Sequence, residues 1–214
     1  MPASVITIAQ AKGGAGKSSL AAHLAAACAG SGHSVLCLDL DPQASLAAWC
    51  ARRDGVPALA GTIAHEAMSG WRIGQRIGAA ARDHDLVLID TPAHGELESR
   101  EAIRAADLVL IPVQPSPLDV QASTTTVRRV SDARTGALVV LNRVPARATL
   151  TRDLKAELAA LGVPIAHARI GNRIAIASAL VNGRGVTEAA PRSQAAAEIS
   201  ALAQEVLGEV RHPA

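Results

Sequence analysis

The chain contains no tyrosine and no phenylalanine, and Trp49 and Trp71 are its only aromatic residues. So few rings provide no platform for stacking successive bases, and any contact with nucleic acid has to run through charge. Cysteine is also scarce. Cys28, Cys37 and Cys50 form neither a C-x-x-C pair nor an even framework, which reads as reduced, small core residues and points to the cytoplasm. Neither sign of charge dominates: 21 Lys and Arg against 19 Asp and Glu leave a formal net charge of +2, too little to indicate a polyanion partner. Residues 18–38 lack Asp, Glu, Lys and Arg, but Gly30-Ser31-Gly32-His33 breaks them into a helix and a strand, not a membrane span. Ala9-Gln10-Ala11 mimics a secretory cleavage site, yet no basic residue precedes it and the apolar stretch before it is short.

Against these absences stand 214 residues of which 49% are hydrophobic and 19% charged, enough for a sizeable core and for one domain spanning 1–214. Of the 21 basic residues only Lys12, Lys17 and Lys155 are lysines, and two of them fall within six positions. The charge is also segregated. From Asp83 to Asp119 eight acidic residues oppose Arg100 and Arg104, whereas from Arg128 to Arg173 nine basic residues oppose Asp132, Asp153 and Glu157.

Near-continuous apolar runs at Val5 to Ala9, Val35 to Asp39, Leu86 to Asp90, Leu108 to Val113 and Ala137 to Asn142 predict strands covered on both faces. Between and after them the spacing predicts helices at Lys17 to Ala29, Ser45 to Arg53, Trp71 to Arg82, Glu98 to Ala105, Leu118 to Ser131, Leu150 to Leu161, Ile174 to Val181 and Ser193 to Val210. This alternation predicts an α/β fold, a doubly wound, mostly parallel sheet with helices on both faces. Gly55 to Gly70 supports either a short strand or a loop. Since the first strand begins within a few residues of Met1, no separate N-terminal module fits before it.

Directly after the first strand comes Ala11-Lys12-Gly13-Gly14-Ala15-Gly16-Lys17-Ser18-Ser19, followed by a helical stretch. Glycines let the backbone curl around a phosphate chain with its N–H groups inward, and the helix N-terminus adds partial positive charge. Lys17 would reach the β and γ phosphates of ATP, and the Ser18 hydroxyl would ligate Mg²⁺. The usual P-loop has Gly where Ala11 stands, and a second lysine, Lys12, opens the loop instead. Asp90 ends the Leu86 to Asp90 run, where it could hold Mg²⁺ through water, and Thr91 to Gly95 could sense the γ phosphate. A second run ends in Asp39-Leu40-Asp41-Pro42-Gln43.

Together these residues resemble the ParA/MinD family of deviant Walker A ATPases. Lys12 to Ser18 resembles its deviant Walker A motif and Asp39 to Gln43 its A-prime motif. The likeness continues through Asp90, Ile111-Pro112-Val113-Gln114-Pro115-Ser116-Pro117-Leu118-Asp119 and Leu141-Asn142-Arg143, and is greatest with the small ParF-like members. It implies two subunits sandwiching two ATP molecules, with Lys12 reaching the partner's nucleotide and acting with Lys17 on the phosphates. It also implies that Asp41 orients the attacking water, that Asp39 supports the metal shell, and that Asn142 reads the adenine edge. Apart from the resemblance, Asn142 and Arg143 also fit an ordinary strand-ending turn.

Other combinations are weaker. His65-Glu66 opens like a zinc-protease helix, but Ser69 stands where the second His is needed. His94 reads as a solvated loop residue, and Arg52-Arg53 and Arg128-Arg129 as solvated helix faces. The leading function is a ParA-type ATPase: an ATP-bound homodimer that binds DNA non-specifically and segregates a plasmid or chromosome. A ParB-like or other small adaptor would stimulate its slow hydrolysis, and the dimer would be nucleoid-associated. Arg152, Lys155, Arg169 and Arg173 are the candidate DNA contacts. One alternative is a protein cargo, such as a chemoreceptor array or a microcompartment. A MinD-like membrane switch is disfavoured because Ser193 to Ala214 carries Glu198, Glu205 and Glu209, no aromatic residue, and only Arg211 as a late cation. An iron protein on the same scaffold would need cysteines beyond Asp90, and none follows Cys50. A biotin-pathway ligase would need a small-substrate pocket, on which the sequence is silent.

Overall fold

A computed structural model of the chain describes residues 3–68, 73–80, 82–146 and 152–211, the side chains of 152 and 211 excepted. Six parallel strands form one sheet: β1 (Ser4–Ile8), β2 (Val35–Asp39), β3 (Ala64–Ala67), β4 (Leu86–Asp90), β5 (Leu108–Val113) and β6 (Gly136–Leu141), in the order β3-β2-β4-β1-β5-β6. Of the Gly55 to Gly70 stretch, residues 55–68 are described and form a loop and the short edge strand β3, so His65 and Glu66 lie on a strand and not on a helix.

Every residue of β2, β4 and β5 is buried, and the two faces divide the side chains by parity. Leu86 and Leu88 join the cluster formed with α1 (Lys17–Gly30), α2 (Ser45–Asp54), α7 (Ile174–Val181), α8 (Val186–Ala189) and α9 (Gln194–Arg211). Val87 and Ile89 face the other way, where α3 (Ile73–Ala80), α4 (Glu96–Ala105), α5 (Pro117–Ala133) and α6 (Arg152–Ala160) pack. Burying one such side chain contributes about 1.5–3 kcal/mol, which is why near-continuous apolar runs mark these strands. The helix expected from Trp71 begins, as described, at Ile73, with Trp71 outside the described residues; Leu150 likewise lies outside them. The four-residue α8 carries no periodic signal and was not anticipated.

The outer edge of β6 is covered by residues 164–172. The Val139 and Val144 amides donate to the Pro164 and Ile170 carbonyls, and the Ala166 and Ile170 amides donate to Val139 and Leu141. Arg53 departs from expectation. Arg52 is exposed, but Arg53 is only 2% exposed and makes a bidentate pair with Glu188 at 2.8 and 2.6 Å. It also donates to Thr62 Oγ1 and the Gly183 carbonyl, with Trp49 against its face. A helix-surface reading missed this because Glu188 arrives from 135 positions away. Arg129, from the other pair, is also largely covered and meets Glu96 at 3.1 Å.

The connection after β1 leads to one face of the sheet, whereas those after β4 and β5 lead to the other. The crevice at the carboxyl end of β1 is therefore a topological switch point, the usual place for a ligand in an open α/β sheet.

Candidate functional site

The glycine-rich loop occupies that crevice. Gly14 and Gly16 have φ of 77° and 90°, the left-handed region that glycine enters without steric cost. A Cβ on Gly16 would lie 2.6 Å from Asn142 Nδ2, so that position is closed to side chains twice over. No side chain caps α1 and no acidic residue sits in its first turn, which leaves its N-terminal amides and positive dipole end available to an anion.

The loop is braced from outside. The buried Gln10 donates to the Pro112 carbonyl at 3.2 Å and to Ser123 Oγ at 3.0 Å, and Thr126 Oγ1 accepts from the Ala11 amide. Asn142 donates to the Ala15 carbonyl at 2.8 Å, and its Oδ1 accepts from the Arg143 amide. Its amide thus props the phosphate loop in this structure. Gln10, Ser123 and Thr126 were not singled out from the sequence, because nothing local links α5 to a loop more than 100 positions earlier.

The two lysines are held differently. Lys17 is buried, with Nζ 3.3 Å from the Gln10 carbonyl; burial lowers its pKa and the Asp90 and Asp41 carboxylates only partly restore it. Lys12 is half-exposed at the rim and pairs with Asp119 Oδ1 at 2.8 Å. Asp119 also takes the Ser116 hydroxyl. Burial pushes the Asp119 carboxyl up, but Lys12 and Ser116 outweigh it and hold it below the usual range.

Asp39 and Asp90 are register partners at the ends of β2 and β4. Asp39 Oδ1 accepts from the Asp41 amide at 3.0 Å and Oδ2 from Ala47 at 2.9 Å, so this carboxylate caps α2 and fixes the loop that carries Asp41. Its pKa is still raised, because burial outweighs those hydrogen bonds. Asp90 is fully buried and, among the described residues, neither of its oxygens makes a hydrogen bond of good geometry. Burial lifts its pKa to about 7, Asp39 and Asp41 add to the shift, and the nearby Ser18 hydroxyl and Lys17 oppose it. An orphaned buried carboxylate beside a serine hydroxyl fits Mg²⁺, a cation that takes few protein oxygens and fills its shell with phosphates and water. Asp41 is half-buried, its Oδ1 accepting from the Gln43 amide. His94 is exposed, as expected.

The model of the CobQ/CobB/MinD/ParA nucleotide binding domain matches residues 6–186. The chain belongs to this ParA/MinD family. Among curated relatives, the maintenance of carboxysome distribution protein A of Halothiobacillus neapolitanus is 30% identical over 214 residues, covering 94% of this chain and 95% of the relative. The chromosome-partitioning ATPase Soj of Thermus thermophilus is 26% identical over 241 residues, covering 96% of each. The fold matches the Pyrococcus furiosus cell division ATPase MinD with a TM-score of 0.79 at 22% identity, covering 96% of this chain and 98% of that one. For a Cyanothece McdA variant in complex with ATP the TM-score is 0.74 at 21% identity, with 97% of each chain covered. As a ParA/MinD family chain, it has the P-loop fold its motifs predicted, and the phosphate loop sits within the matched region.

The candidate DNA contacts come together only in part. Lys155 and Arg169 are exposed and line one cavity of about 360 Å³ with His167. Arg173 is withdrawn: Glu198 grips its guanidinium at 3.1 and 2.6 Å, so its charge is neutralised within the molecule. The side chain of Arg152 lies outside the described residues. The acidic reading of the last helix also needs correction. Glu198 accepts from the Gly171 amide, and Glu205 accepts from the His167 and Ala168 amides, so both point inward and clamp residues 167–173 to α9. Of the three glutamates only Glu209 is exposed. No helix among the described residues is long and apolar enough to cross a membrane.

Proposed function

We propose that the chain is an ATP-driven positioning switch: it binds ATP with Mg²⁺, pairs with a second copy across the nucleotides, and returns to the monomer on hydrolysis. The observation that carries this reading is the division between the two lysines. Lys17 sits inside the loop where a phosphate chain needs it, whereas Lys12 stands at the rim, half-exposed and held by an ion pair that an incoming nucleotide can exchange. A rim lysine meets transferring charge only if ATP is clamped from the opposite side. The same face supports an interface. Leu97 (60% exposed), Leu118 (74%) and Ile174 (87%) all lie in the first turn of helices that start at the carboxyl edge of the sheet, and they are three of the four large exposed hydrophobic residues among the described ones.

In this reading the Gly13 to Ser19 loop cradles the phosphates, Asp90 and Ser18 hold Mg²⁺, and Asp41 orients water on the loop that Asp39 fixes. Bound Mg²⁺ would neutralise charge on the β and γ phosphates. The ATP-bound dimer holds DNA through Lys155 and Arg169, doubled by pairing. The cargo is a protein assembly of the microcompartment kind. Its support is the carboxysome-distribution relative at 30% identity across 94% of the chain, while partition relatives keep a plasmid or chromosome as the second reading. A small partner protein stimulates hydrolysis.

Sedimentation with ATP and with ADP tests the switch. Wild type is expected to dimerise with ATP only, and Lys12→Ala to bind ATP as a monomer; a wild type that stays monomeric with ATP would reject it. Unrelated DNA duplexes are expected to co-sediment with ATP and to be released by salt. Capture by anionic liposomes in place of DNA would favour a membrane switch. In cells, deletion should cluster the protein shells and leave plasmid inheritance intact; the reverse would select DNA cargo.

A further inference from the structure

Gln10 stands where the chain leaves the sheet for the phosphate loop. The Ala9 amide donates to the Leu110 carbonyl at 3.0 Å, and the next rung of a parallel ladder would run from the Ala11 amide to the Pro112 carbonyl. That rung is replaced. The Gln10 side chain donates to the Pro112 carbonyl at 3.2 Å, which frees the Ala11 amide for Thr126 Oγ1 at 3.0 Å. The Pro112 carbonyl can only accept, so it fixes which end of the Gln10 amide is nitrogen, and the remaining directions follow. Nε2 also donates to Ser123 Oγ at 3.0 Å, and the Ser123 hydroxyl donates to the Asp119 carbonyl at 2.8 Å. The Thr126 hydroxyl donates to Gln10 Oε1 at 3.3 Å, and the Lys12 amide lies 3.4 Å from the same oxygen.

Asp119, Ser123 and Thr126 are spaced by four and three along α5, so they share one face of it, and they meet Lys12, Gln10 and Ala11 in turn. Two of these contacts are buried, and the third, at Lys12, is open at the rim. A long side chain finds its target only as well as its backbone is placed, and a misplacement of about 1 Å can cost about a hundredfold. Lys12 is followed by Gly13 and Gly14, which restrain the backbone least, so the hold comes from the Gln10 side.

We infer that Gln10 is a positioning residue for Lys12: its buried amide ties the root of the loop to α5 and fixes the point from which Lys12 crosses to the nucleotide of a second copy. The inference rests on the crossing lysine proposed above. Lys17 and the loop amides that serve a subunit's own phosphates lie farther along the chain, and the Gln10 carbonyl beside Lys17 is main chain that any substitution keeps. Binding of a subunit's own nucleotide and pairing of subunits therefore separate.

The test compares full-length wild type with Gln10→Met, which keeps the length and loses the amide, and with Thr126→Val and Thr126→Ser, of which only serine keeps the hydroxyl. Two quantities are read: Mg·ADP affinity, which reports a single subunit, and the protein concentration at which ATP gives dimer in sedimentation. Gln10→Met and Thr126→Val are expected to raise that concentration about tenfold and to leave ADP affinity within about twofold, with Thr126→Ser close to wild type in both. Unchanged dimerisation in Gln10→Met and Thr126→Val, an ADP affinity that falls as far as dimerisation does in Thr126→Val, or a serine variant as impaired as valine would each overturn the assignment. The Thr126 pair decides where the methionine variant fails to fold. A wild type that binds ADP and stays monomeric with ATP would overturn the crossing lysine itself.

Discussion

Arg53 and Asp90 are both buried, yet one is surrounded by partners and the other, among the described residues, makes no hydrogen bond of good geometry. Arg53 meets both oxygens of Glu188, a hydroxyl, a carbonyl and an indole face, and Glu188 also accepts from the Gly185 amide. Asp90, at the carboxyl edge of the sheet, has two oxygens that make no hydrogen bond of good geometry among the described residues. A buried charge costs several kcal/mol unless it is matched. The matched cluster joins α2 to α8 and serves the fold. The unmatched one costs stability in the free chain, and it lies beside Ser18 and Lys17 of the glycine-rich loop. Both residues are buried and ionisable, so residue type and burial alone do not tell the two apart; completeness of hydrogen bonding does.

The comparison breaks most sharply at Arg53. Arg53→Ala strands the Glu188 carboxylate and is expected to cost about 3–5 kcal/mol of unfolding free energy, read by urea denaturation of the ligand-free chain. A cost under about 1 kcal/mol would mean that the cluster is not what fastens α8.

Asp90→Asn is expected to act in the opposite direction. With a folded pKa near 7, raised by burial above the ordinary value of about 3.9, the folded chain holds the Asp90 proton more tightly than the unfolded chain. The stability this provides is full below about pH 4 and is lost as pH rises to about 7. The amide removes that slope and should make the ligand-free protein more stable at pH 8 by about 1–3 kcal/mol. Mg·ATP affinity in wild type should climb between about pH 6 and 8 as the carboxyl ionises, and the variant should lose that climb. Denaturation curves for the two proteins that run parallel from pH 5 to pH 8 would contradict the orphaned carboxylate.

The smallest effect is expected at Asp119, whose partner Lys12 is half-exposed. Asp119→Ala frees that lysine and should shift ATP-dependent dimerisation to roughly two- to fivefold lower protein concentration, since a pair this open is worth about 1 kcal/mol or less. Sedimentation across a concentration series measures it. A shift to higher concentration would instead make Asp119 a guide for Lys12.

Much of this was legible residue by residue. The strand from Leu86 to Asp90 is legible to the residue because buried parallel strands are continuous apolar runs, and the glycine-rich turn after β1 because its glycines, lysines and serine sit at fixed offsets. Gly55 to Gly70 was ambiguous because β3 is four residues long, too short for its alternation to stand out. Arg173 and Arg53 looked like ordinary surface cations, since the glutamates that neutralise them come from other helices. Asn142 and Asp39 also hold backbone in place through their side-chain atoms, a role that no local pattern announces. A side chain's type states what it can bond, not what it does bond.

The sequence by itself determined the doubly wound sheet and the family, because periodicity and motif chemistry are carried by residues close along the chain. Only the tertiary structure decided which charges are spent and which are free. It turned Glu198 and Glu205 inward, closed Arg53 into the core, parked Lys12 on Asp119 and left Asp90 bare. Those outcomes depend on partners up to 135 positions apart brought together by packing, and no local pattern in the chain encodes them.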